Sequence, residues 1–255
     1  RVRKMEVQGD SAKLFFHQPE SRIQSEHPWP APWISKETGN SAYYLTNAIQ
    51  FLNEPGEWFL DTRTQKLYYY PKTDENLSNA EVIAPHLETL VRMTGTSDRP
   101  VAHVQFKGIA FEHTGWLRPS REGHVPHQAG LYMLDAYKLR IPGTPEKKTL
   151  ENQAWVGRPT AAVEVSYATH TGFENCRFEH LASTGLDYHR GVQYNHITGN
   201  LFKDIGGTGI QAGVFSEEAV EAHVPYQPQD EREVCSQLSI RNNLITNVTN
   251  EDWGC

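Results

Sequence analysis

The chain has 255 residues, of which 38% are hydrophobic and 22% are charged, a composition typical of a folded globular protein and not of a disordered one. Its net charge of −7 argues against a nucleic-acid partner, because binding to a phosphate backbone requires clustered lysine and arginine. No stretch approaches the roughly 18 consecutive apolar residues of a transmembrane helix, so neither a membrane-spanning segment nor a signal peptide is predicted.

The three cysteines, Cys176, Cys235 and Cys255, show neither metal-ligand spacing nor a disulfide framework. We therefore predict no metal site and no cofactor. Cys176 falls at an apolar position of the pattern described below, and we expect its thiol to be buried.

Residues 1–100 read as a small β domain with an aromatic hairpin. Segments 57–61 (EWFLD) and 66–71 (KLYYYP) are rich in strand-forming aromatic residues and are joined by the polar turn 62–65. The turn-rich segment 95–100 (GTSDRP) marks the end of this domain.

Residues 101–255 contain a repeat. Segments 162–165 (AVEV), 185–188 (GLDY) and 209–212 (GIQA) follow one another at spacings of 23 and 24 residues. A unit of this length buries its apolar face only by stacking on its neighbours. Side chains alternate between the two faces of a strand. We therefore predict that the apolar residues Val163, Leu186 and Ile210 point inward. The residues that follow them, Glu164, Asp187 and Gln211, are predicted to point outward and are called the outward set.

The same template fits residues 104–113 upstream and 238–247 downstream. We therefore predict an all-β fold, a right-handed parallel β-helix. The right hand is predicted because connections between parallel strands of one sheet are almost always right-handed. Asn175, Asn200 and Asn243 recur between apolar pairs, and asparagine suits a stacked turn with left-handed backbone.

Two long insertions, residues 115–159 and 213–234, interrupt the repeat close to the outward set. Loops that leave a repeat on one face commonly form the walls of a groove, and the first insertion carries Trp116 as a candidate sugar platform. The chain starts and ends without a cap for its stacked strands, so we expect it to be an internal portion of a longer protein.

Two segments resemble a known family. Residues 47–71, with PGEWFLD and KLYYYP, followed by residues 199–206 (GNLFKDIG), are similar to the β-helical glycoside hydrolases, which include β-xylosidase and α-L-fucosidase families. In those families a β-sandwich-like domain accompanies the right-handed β-helix, so the resemblance implies that residues 1–100 form a β-sandwich-like domain. The resemblance covers about residues 40–255. It implies hydrolysis of glycosidic bonds in plant or host polysaccharides or oligosaccharides, and a secreted or periplasmic location.

Glycoside hydrolysis needs two carboxyl groups, about 5–5.5 Å apart in retaining enzymes and about 6.5–9.5 Å in inverting ones. Strands stack about 4.7–4.9 Å apart, so outward carboxylates one or two strands apart suit these ranges. Asp187 is the predicted nucleophile or general base, since the resemblance implies a catalytic aspartate at this outward position. The alternative is a solvated carboxylate with no catalytic role.

The second carboxylate is predicted to be Asp252 or Glu164. Gln211 interrupts the outward set where the resemblance implies an acid, and an amide does not donate a proton as a carboxylic acid does. Trp253 beside Asp252 would desolvate that carboxyl, as a general acid requires. The predicted substrate-binding residues are Tyr188, His189, Arg190, Gln211, Trp253 and Trp116.

Two other functions stay open at this point. A polysaccharide lyase would use a lysine or arginine base, for which Arg190 is the nearby candidate, often with Ca²⁺ held by carboxylates. A noncatalytic carbohydrate-binding module would leave the outward acids unpaired. The sequence does not predict the sugar, the stereochemistry or the oligomeric state.

Overall fold

The computed structural model describes residues 1–26, 36–37, 39, 44–127, 130–136, 154–214 and 227–250. The chain forms two compact units, one made of Arg1–Trp29 and Pro85–Cys255 and the other of Pro30–Ala84. This division differs from the boundary at residue 100 that the sequence predicts. None of the helices within the described residues is long and apolar enough to cross a membrane.

The larger unit begins with an antiparallel ribbon and a short helix. Strand β1 (Val2–Gln8) pairs with β2 (Ser11–Phe16), and helix α1 (Glu20–Glu26) follows. The side chain of Glu20 is buried and accepts a hydrogen bond from Arg1 Nε at 2.8 Å. This ion pair ties the start of α1 to the start of the ribbon.

The smaller unit contains the aromatic hairpin. Strands β3 (Trp58–Asp61) and β4 (Lys66–Tyr69) pair antiparallel, which confirms the predicted hairpin and its turn. Two single 3-10 turns flank it, Ile49–Phe51 and Leu77–Asn79.

Three parallel sheets make up most of the larger unit, and successive strands of each sheet are hydrogen-bonded in register. The first sheet contains β5 (Val91–Thr94), β6 (Val101–Ala102), β12 (Ala161–Thr169), β15 (Thr184–Gln193) and β18 (Ile210–Ala212). The second contains β7 (Gln105–Lys107), β13 (Gly172–Glu174), β16 (His196–Thr198) and β19 (Ser239–Arg241). The third contains β8 (Ala110–Thr114), β14 (Arg177–Leu181), β17 (Leu201–Ile205) and β20 (Leu244–Val248).

The insertion between β8 and β12 contributes a further antiparallel sheet. It contains the one-turn helix α2 (Arg118–Arg121) and strands β9 (Pro126–His127), β10 (Leu131–Ala136) and β11 (Ala154–Gly157), paired in the order β11, β10, β9. Between β18 and β19 the described residues contain one 3-10 turn, Glu231–Glu233.

The core lies between the three parallel sheets and is built from stacked aromatic rings. Phe106 stacks on Phe173 with ring centroids 5.0 Å apart, and Phe178 stacks on Phe202 at 4.5 Å. Phe173, Phe178 and Phe202 are fully buried, and each contributes about 2–3 kcal/mol by leaving water. Cys176 is buried, as expected.

Left-handed backbone bends the chain both between sheets and within strands, and these bends fall in columns. Residues with positive φ recur at equivalent places in successive strands, which lets the chain bend sharply without breaking the stack. The columns are Tyr167 and Gly191; His103, His170, Tyr194 and Gln237; Gly108, Asn175, Gly199 and Asn242; and His113, His180, Asp204 and Asn247.

The predicted fold class, a right-handed parallel β-helix preceded by a β-sandwich-like domain, is wrong. The chain is all-β, but its parallel strands are stacked in several separate sheets and are accompanied by antiparallel ones. Residues 1–26 form a ribbon and a helix instead of a sandwich, and the parallel pairing begins already at Val91. A repeat spacing identifies which strands are neighbours, but it specifies neither the hand of the chain path nor how the sheets close.

Candidate active site

Three outward side chains lie side by side on the first parallel sheet. Glu164 on β12 pairs with Asp187 on β15, and Asp187 pairs with Gln211 on β18. Their neighbours Val163 and Leu186 are fully buried in the core. The register predicted from the repeat is therefore confirmed, and the three polar residues point away from the core.

A bulge follows this set of residues. Val165 pairs with Tyr188, whereas the next residue, Ser166, pairs with Arg190, so the register skips His189. A bulge of this kind redirects the side chains on either side of it. Tyr188 lies before the bulge and two residues after Leu186, so it shares the core face of β15 with that leucine.

Asp187 is covered by a buried arginine. Arg158 donates from Nε to Asp187 Oδ2 at 2.7 Å and from Nη2 to Asp187 Oδ1 at 2.5 Å. The two side chains are only 13% and 6% exposed. Two parallel charge-assisted hydrogen bonds hold a carboxylate in one orientation. Asp187 is thus a fixed, shielded carboxylate and not a solvated surface acid.

Arg158 was not among the residues predicted from the sequence. It lies at the end of the first insertion, where the chain returns to the parallel sheets, and the insertion was predicted to form a groove wall. The residue before it, Gly157, packs against the ring of Tyr132, and a Cβ added there would lie 2.5 Å from Tyr132 Cζ. Glycine at this position lets β11 approach β10 closely and brings Arg158 over Asp187.

An aromatic cluster lies on the same insertion. Trp116 packs edge-on against His124 with ring centroids 4.9 Å apart and lies 6.2 Å from the ring of Tyr132. The guanidinium of Arg118 lies 4.1 Å from the centroid of the same tyrosine ring, at cation–π distance. Trp116 is half-buried, so part of its surface still faces outward.

Glu164 has its own basic partner. Arg92 Nε lies 2.7 Å from Glu164 Oε2, and the Thr89 hydroxyl donates to Oε1 at 3.1 Å. The Glu164 side chain is 25% exposed, so it is more accessible than Asp187. The two neighbouring carboxylates are therefore each paired with a different arginine.

Gln211 is half-buried beside the middle of the insertion. A Cβ added at Gly130, just before β10, would lie 3.4 Å from Gln211 Nε2 and 2.6 Å from Thr208 Oγ1. Gly130 has a φ of +67°, which favours glycine. The inserted sheet therefore meets the outward set at two points, at Gln211 through Gly130 and at Asp187 through Arg158.

The other predicted residues fall in different surroundings. Tyr188 is fully buried, where desolvation raises the pKa of its hydroxyl, so its ring belongs to the core and cannot lie against a sugar. His189 and Arg190 are partly exposed, and Arg190 Nη1 lies 3.9 Å from Glu233 Oε2. Asp252 and Trp253 lie outside the described residues.

Within the described ranges, no group of three or more histidine, cysteine, aspartate or glutamate side chains is arranged to hold a metal ion. The chemistry that the site offers is that of paired carboxylates. Asp187 and Glu164 occupy adjacent strands, a separation of about 4.7–4.9 Å between backbones.

The chain is similar to a known protein family model and to one solved structure. Residues 1–72 match the family model described as the GH141 insertion domain. The whole chain aligns with a solved structure titled "Glycoside hydrolase" at 52% sequence identity and a TM-score of 0.91. No curated protein matches the chain. Both matches support the glycosidase that the sequence predicts.

The chain spans 43% of the length of that solved protein, while all of this chain is covered by the alignment. The comparison therefore concerns part of a larger molecule.

Proposed function

We propose that this chain is part of a glycoside hydrolase and that Asp187 supplies one of the two carboxylates that cleave the glycosidic bond. The observation that carries the proposal is the 52% identity, over all of this chain, to a protein titled "Glycoside hydrolase". The position of Asp187 in the polar set, one strand from Glu164, supports its role.

Asp187 acts in this proposal as nucleophile or general base. Arg158 donates to both of its oxygens, which suits a carboxylate that attacks or accepts a proton and does not suit a group that donates one. The arginine is a positioning residue, because it holds the reacting oxygen in place. A substrate must approach from the side that Arg158 leaves open.

The second carboxylate is either Glu164 or Asp252. Glu164 is the direct neighbour of Asp187, and the strand spacing is close to the about 5–5.5 Å separation of a retaining pair. Unlike Asp187, it has an arginine on one oxygen only, Oε2, so Oε1 can carry the proton of a general acid. Asp252 is the other carboxylate that the sequence predicts, and a pair with a wider separation would suit an inverting mechanism.

The proposed substrate is a plant or host polysaccharide or oligosaccharide. Trp116 is a candidate platform for a sugar ring, because an exposed indole face packs against the C–H groups of a pyranose. His189, Arg190 and Gln211 remain candidates for hydrogen bonds to sugar hydroxyls.

The arginines near the site favour hydrolysis over elimination. A lyase needs an arginine or lysine that accepts a proton, whereas Arg158 donates to Asp187 and Arg190 lies beside Glu233. A guanidinium engaged with a carboxylate is a poor base.

The test is turnover of aryl glycosides and plant oligosaccharides by the full-length protein, with and without EDTA, beside Asp187→Asn. We expect hydrolysis that resists EDTA and falls by about 10³-fold in the variant. Unsaturated products that absorb in the ultraviolet would instead indicate a lyase. Binding without turnover in any sample would indicate a carbohydrate-binding module.

A leaving-group series identifies the second carboxylate. Glu164→Gln and Asp252→Asn are compared on aryl glycosides whose phenols range from acidic to weakly acidic. Loss of the general acid harms poor leaving groups most and spares good ones, whereas loss of a nucleophile harms all of them. The variant that shows the selective loss identifies the acid.

A secreted or periplasmic location belongs to the same proposal, since polymeric substrates of this class lie outside the cytoplasm. Fractionation of cells that produce the full-length protein tests it, with a cytosolic enzyme as the marker of lysis. Recovery of the protein with the cytosolic marker would contradict this location.

A further inference from the structure

A small cleft lies at the bend of the first parallel sheet, at a different place from the Glu164, Asp187 and Gln211 set. It is formed by Tyr167 and Thr169 on β12, by Gly191 and Gln193 on β15, and by the loop that joins β5 to β6. Arg232, from the 3-10 turn Glu231–Glu233, closes the remaining side. We call these residues the corner cleft.

The cleft is the size of one ring. Its volume is about 160 Å³. Pockets for drug-sized ligands start at about 300 Å³, and a cavity of about 150 Å³ admits a single benzene molecule. The corner cleft therefore has room for one six-membered ring.

The lining matches the two kinds of surface on a sugar ring. Tyr167 presents an aromatic ring, which suits the C–H face of a pyranose. Thr96, Thr169 and Gln193 supply hydroxyl and amide groups. Each makes one hydrogen bond within the protein, to Arg99 N, His170 Nδ1 and Val234 O respectively, and retains further donor or acceptor capacity. An apolar ring beside several neutral polar groups is a surface for a polyhydroxylated ring.

The position of the tyrosine ring is fixed by the backbone. Gly191 has a φ of +63°, and a Cβ there would lie 2.5 Å from Tyr167 Cδ1 and 2.9 Å from the carbonyl oxygen of Arg232. The ring thus rests directly on the glycine. Any larger residue at 191 would push the ring out of place.

The charges at the rim favour a neutral ligand. Arg232 Nη2 lies 2.6 Å from Asp230 Oδ2, and Arg232 Nη1 lies 2.8 Å from Asp98 Oδ1. One guanidinium thus faces two carboxylates, so its positive charge is already balanced. An anionic ligand would have to displace one of these carboxylates to reach the guanidinium.

From these observations we infer that the corner cleft is a second carbohydrate-binding site, which takes one neutral sugar residue through the Tyr167 ring. The inference rests on the proposed function for its ligand class. It assigns the cleft to binding alone, because the carboxylates at its rim are held by Arg232.

The test uses full-length protein that carries Asp187→Asn, so that ligand is not consumed. Methyl glycosides of xylose, fucose, glucose and galactose are titrated by calorimetry and by saturation-transfer NMR. At least one neutral glycoside should bind, and Tyr167→Ala should weaken it by about tenfold. Tyr194→Ala is the matched control, since Tyr194 is 56% exposed, lies at the neighbouring bend and should leave the affinity unchanged.

Methyl glucoside and methyl glucuronide form a second matched pair, because they differ only in a carboxylate at one end. The glucuronide should bind more weakly. Tighter binding of the glucuronide, equal affinity in the Tyr167→Ala and parent proteins, or no binding of any neutral glycoside would overturn the inference. If Tyr167→Ala does not fold, Ser97→Tyr fills the cleft from its loop and should abolish the same binding.

A failure of the corner cleft can be distinguished from a failure of the proposed hydrolase function. Hydrolysis of an aryl monoglycoside by protein with Asp187 intact should be the same in Tyr167→Ala and its parent. If neither protein hydrolyses the glycoside but sugar binding still depends on Tyr167, the proposed hydrolase function is refuted and the proposed binding site stands. If turnover is normal but no sugar binding depends on Tyr167, only the proposed binding site is refuted.

Discussion

Tyr132 lies with its ring against the backbone of Gly157, and the residue after that glycine is the arginine that holds Asp187. Packing within the inserted sheet thus sets the position of a charged group at the candidate active site. Tyr132 affects the position of Arg158 through the backbone of Gly157, and this effect does not require contact between Tyr132 and the substrate.

Gly157→Ala should therefore damage the site without removing any functional group. The added methyl conflicts with the Tyr132 ring, so we expect a loss of about 1–3 kcal/mol in the free energy of unfolding. Displacement of Arg158 should also lower kcat by about 10²-fold. Gly115→Ala is the control, since a Cβ there has an ordinary contact of 3.6 Å and both quantities should stay near those of the parent. Parent-like activity in Gly157→Ala would disprove the link.

Removal of Arg158 should be costly because its partner is buried. Arg158→Ala leaves the Asp187 carboxylate without its guanidinium, and breaking a buried pair costs about 3–5 kcal/mol. The double variant Arg158→Ala/Asp187→Ala should lose less than the sum of the single variants, measured by urea unfolding.

The same residue has a separate effect on turnover. Arg158→Lys keeps the positive charge but not the two-pronged hydrogen bonding, so it should recover part of the stability and little of the activity. If the lysine variant matched the parent in kcat, the arginine would serve only as a structural partner of Asp187.

Asn200 should stabilise the stack through its amide. Its Oδ1 accepts from Cys176 N at 2.8 Å and its Nδ2 donates to Phe173 O at 3.0 Å, all within buried surroundings. Asn200→Ala leaves these two backbone groups without this partner, and each should lower the free energy of unfolding by about 1–3 kcal/mol. Thermal or urea unfolding measures this, with the exposed Asn79→Ala as the control that should change little.

Glu20 should make stability depend on acid pH. Burial raises the pKa of its carboxyl, but the hydrogen bond and charge of Arg1 outweigh burial and leave the pKa below the ordinary value of 4.5. The stabilising contribution is therefore complete above pH 4.5 and is lost as the pH falls through the lowered pKa. Urea unfolding from pH 3 to pH 7 should show a steeper acid loss in the parent than in Glu20→Gln. Parallel curves for the two proteins would contradict this.

Part of this architecture could be predicted from the sequence. The spacing of the apolar segments predicts the register between Val163, Leu186 and Ile210, because identical spacing brings equivalent residues side by side. The aromatic hairpin could also be predicted, since its turn and strand residues are close together in the chain. How the sheets close could not, because no local pattern specifies it.

The roles of the individual turn asparagines could not be predicted from the sequence. The sequence treats Asn175, Asn200 and Asn243 as one kind of turn residue, but they divide into two adjacent columns. Asn175 has left-handed backbone, whereas Asn200 and Asn243 are joined by a hydrogen bond between their amides at 2.9 Å. One residue of offset separates a backbone role from a side-chain role.

The site was predictable only on the repeated strands. Asp187 and Glu164 could be placed because they follow the repeat. Arg158 comes from the insertion, 29 residues from Asp187, and Arg92 lies on β5, which pairs with β12 but is 72 residues from Glu164. Neither separation matches the repeat spacing, so neither partner leaves a periodic signal.

These separations also bear on the order in which the chain acquires its structure. Strands β12 to β18 join residues 24 positions apart, as in the Cys176 and Asn200 contact, whereas β5 reaches β12 across 72 positions. Closing the longer loop costs about 1 kcal/mol more in chain entropy. Contacts between nearby residues form faster, so the segment from β12 to β18 is the expected nucleus, and β5 to β8 join it afterwards. The carboxylates Glu164 and Asp187 would then be aligned before Arg92 docks on this nucleus.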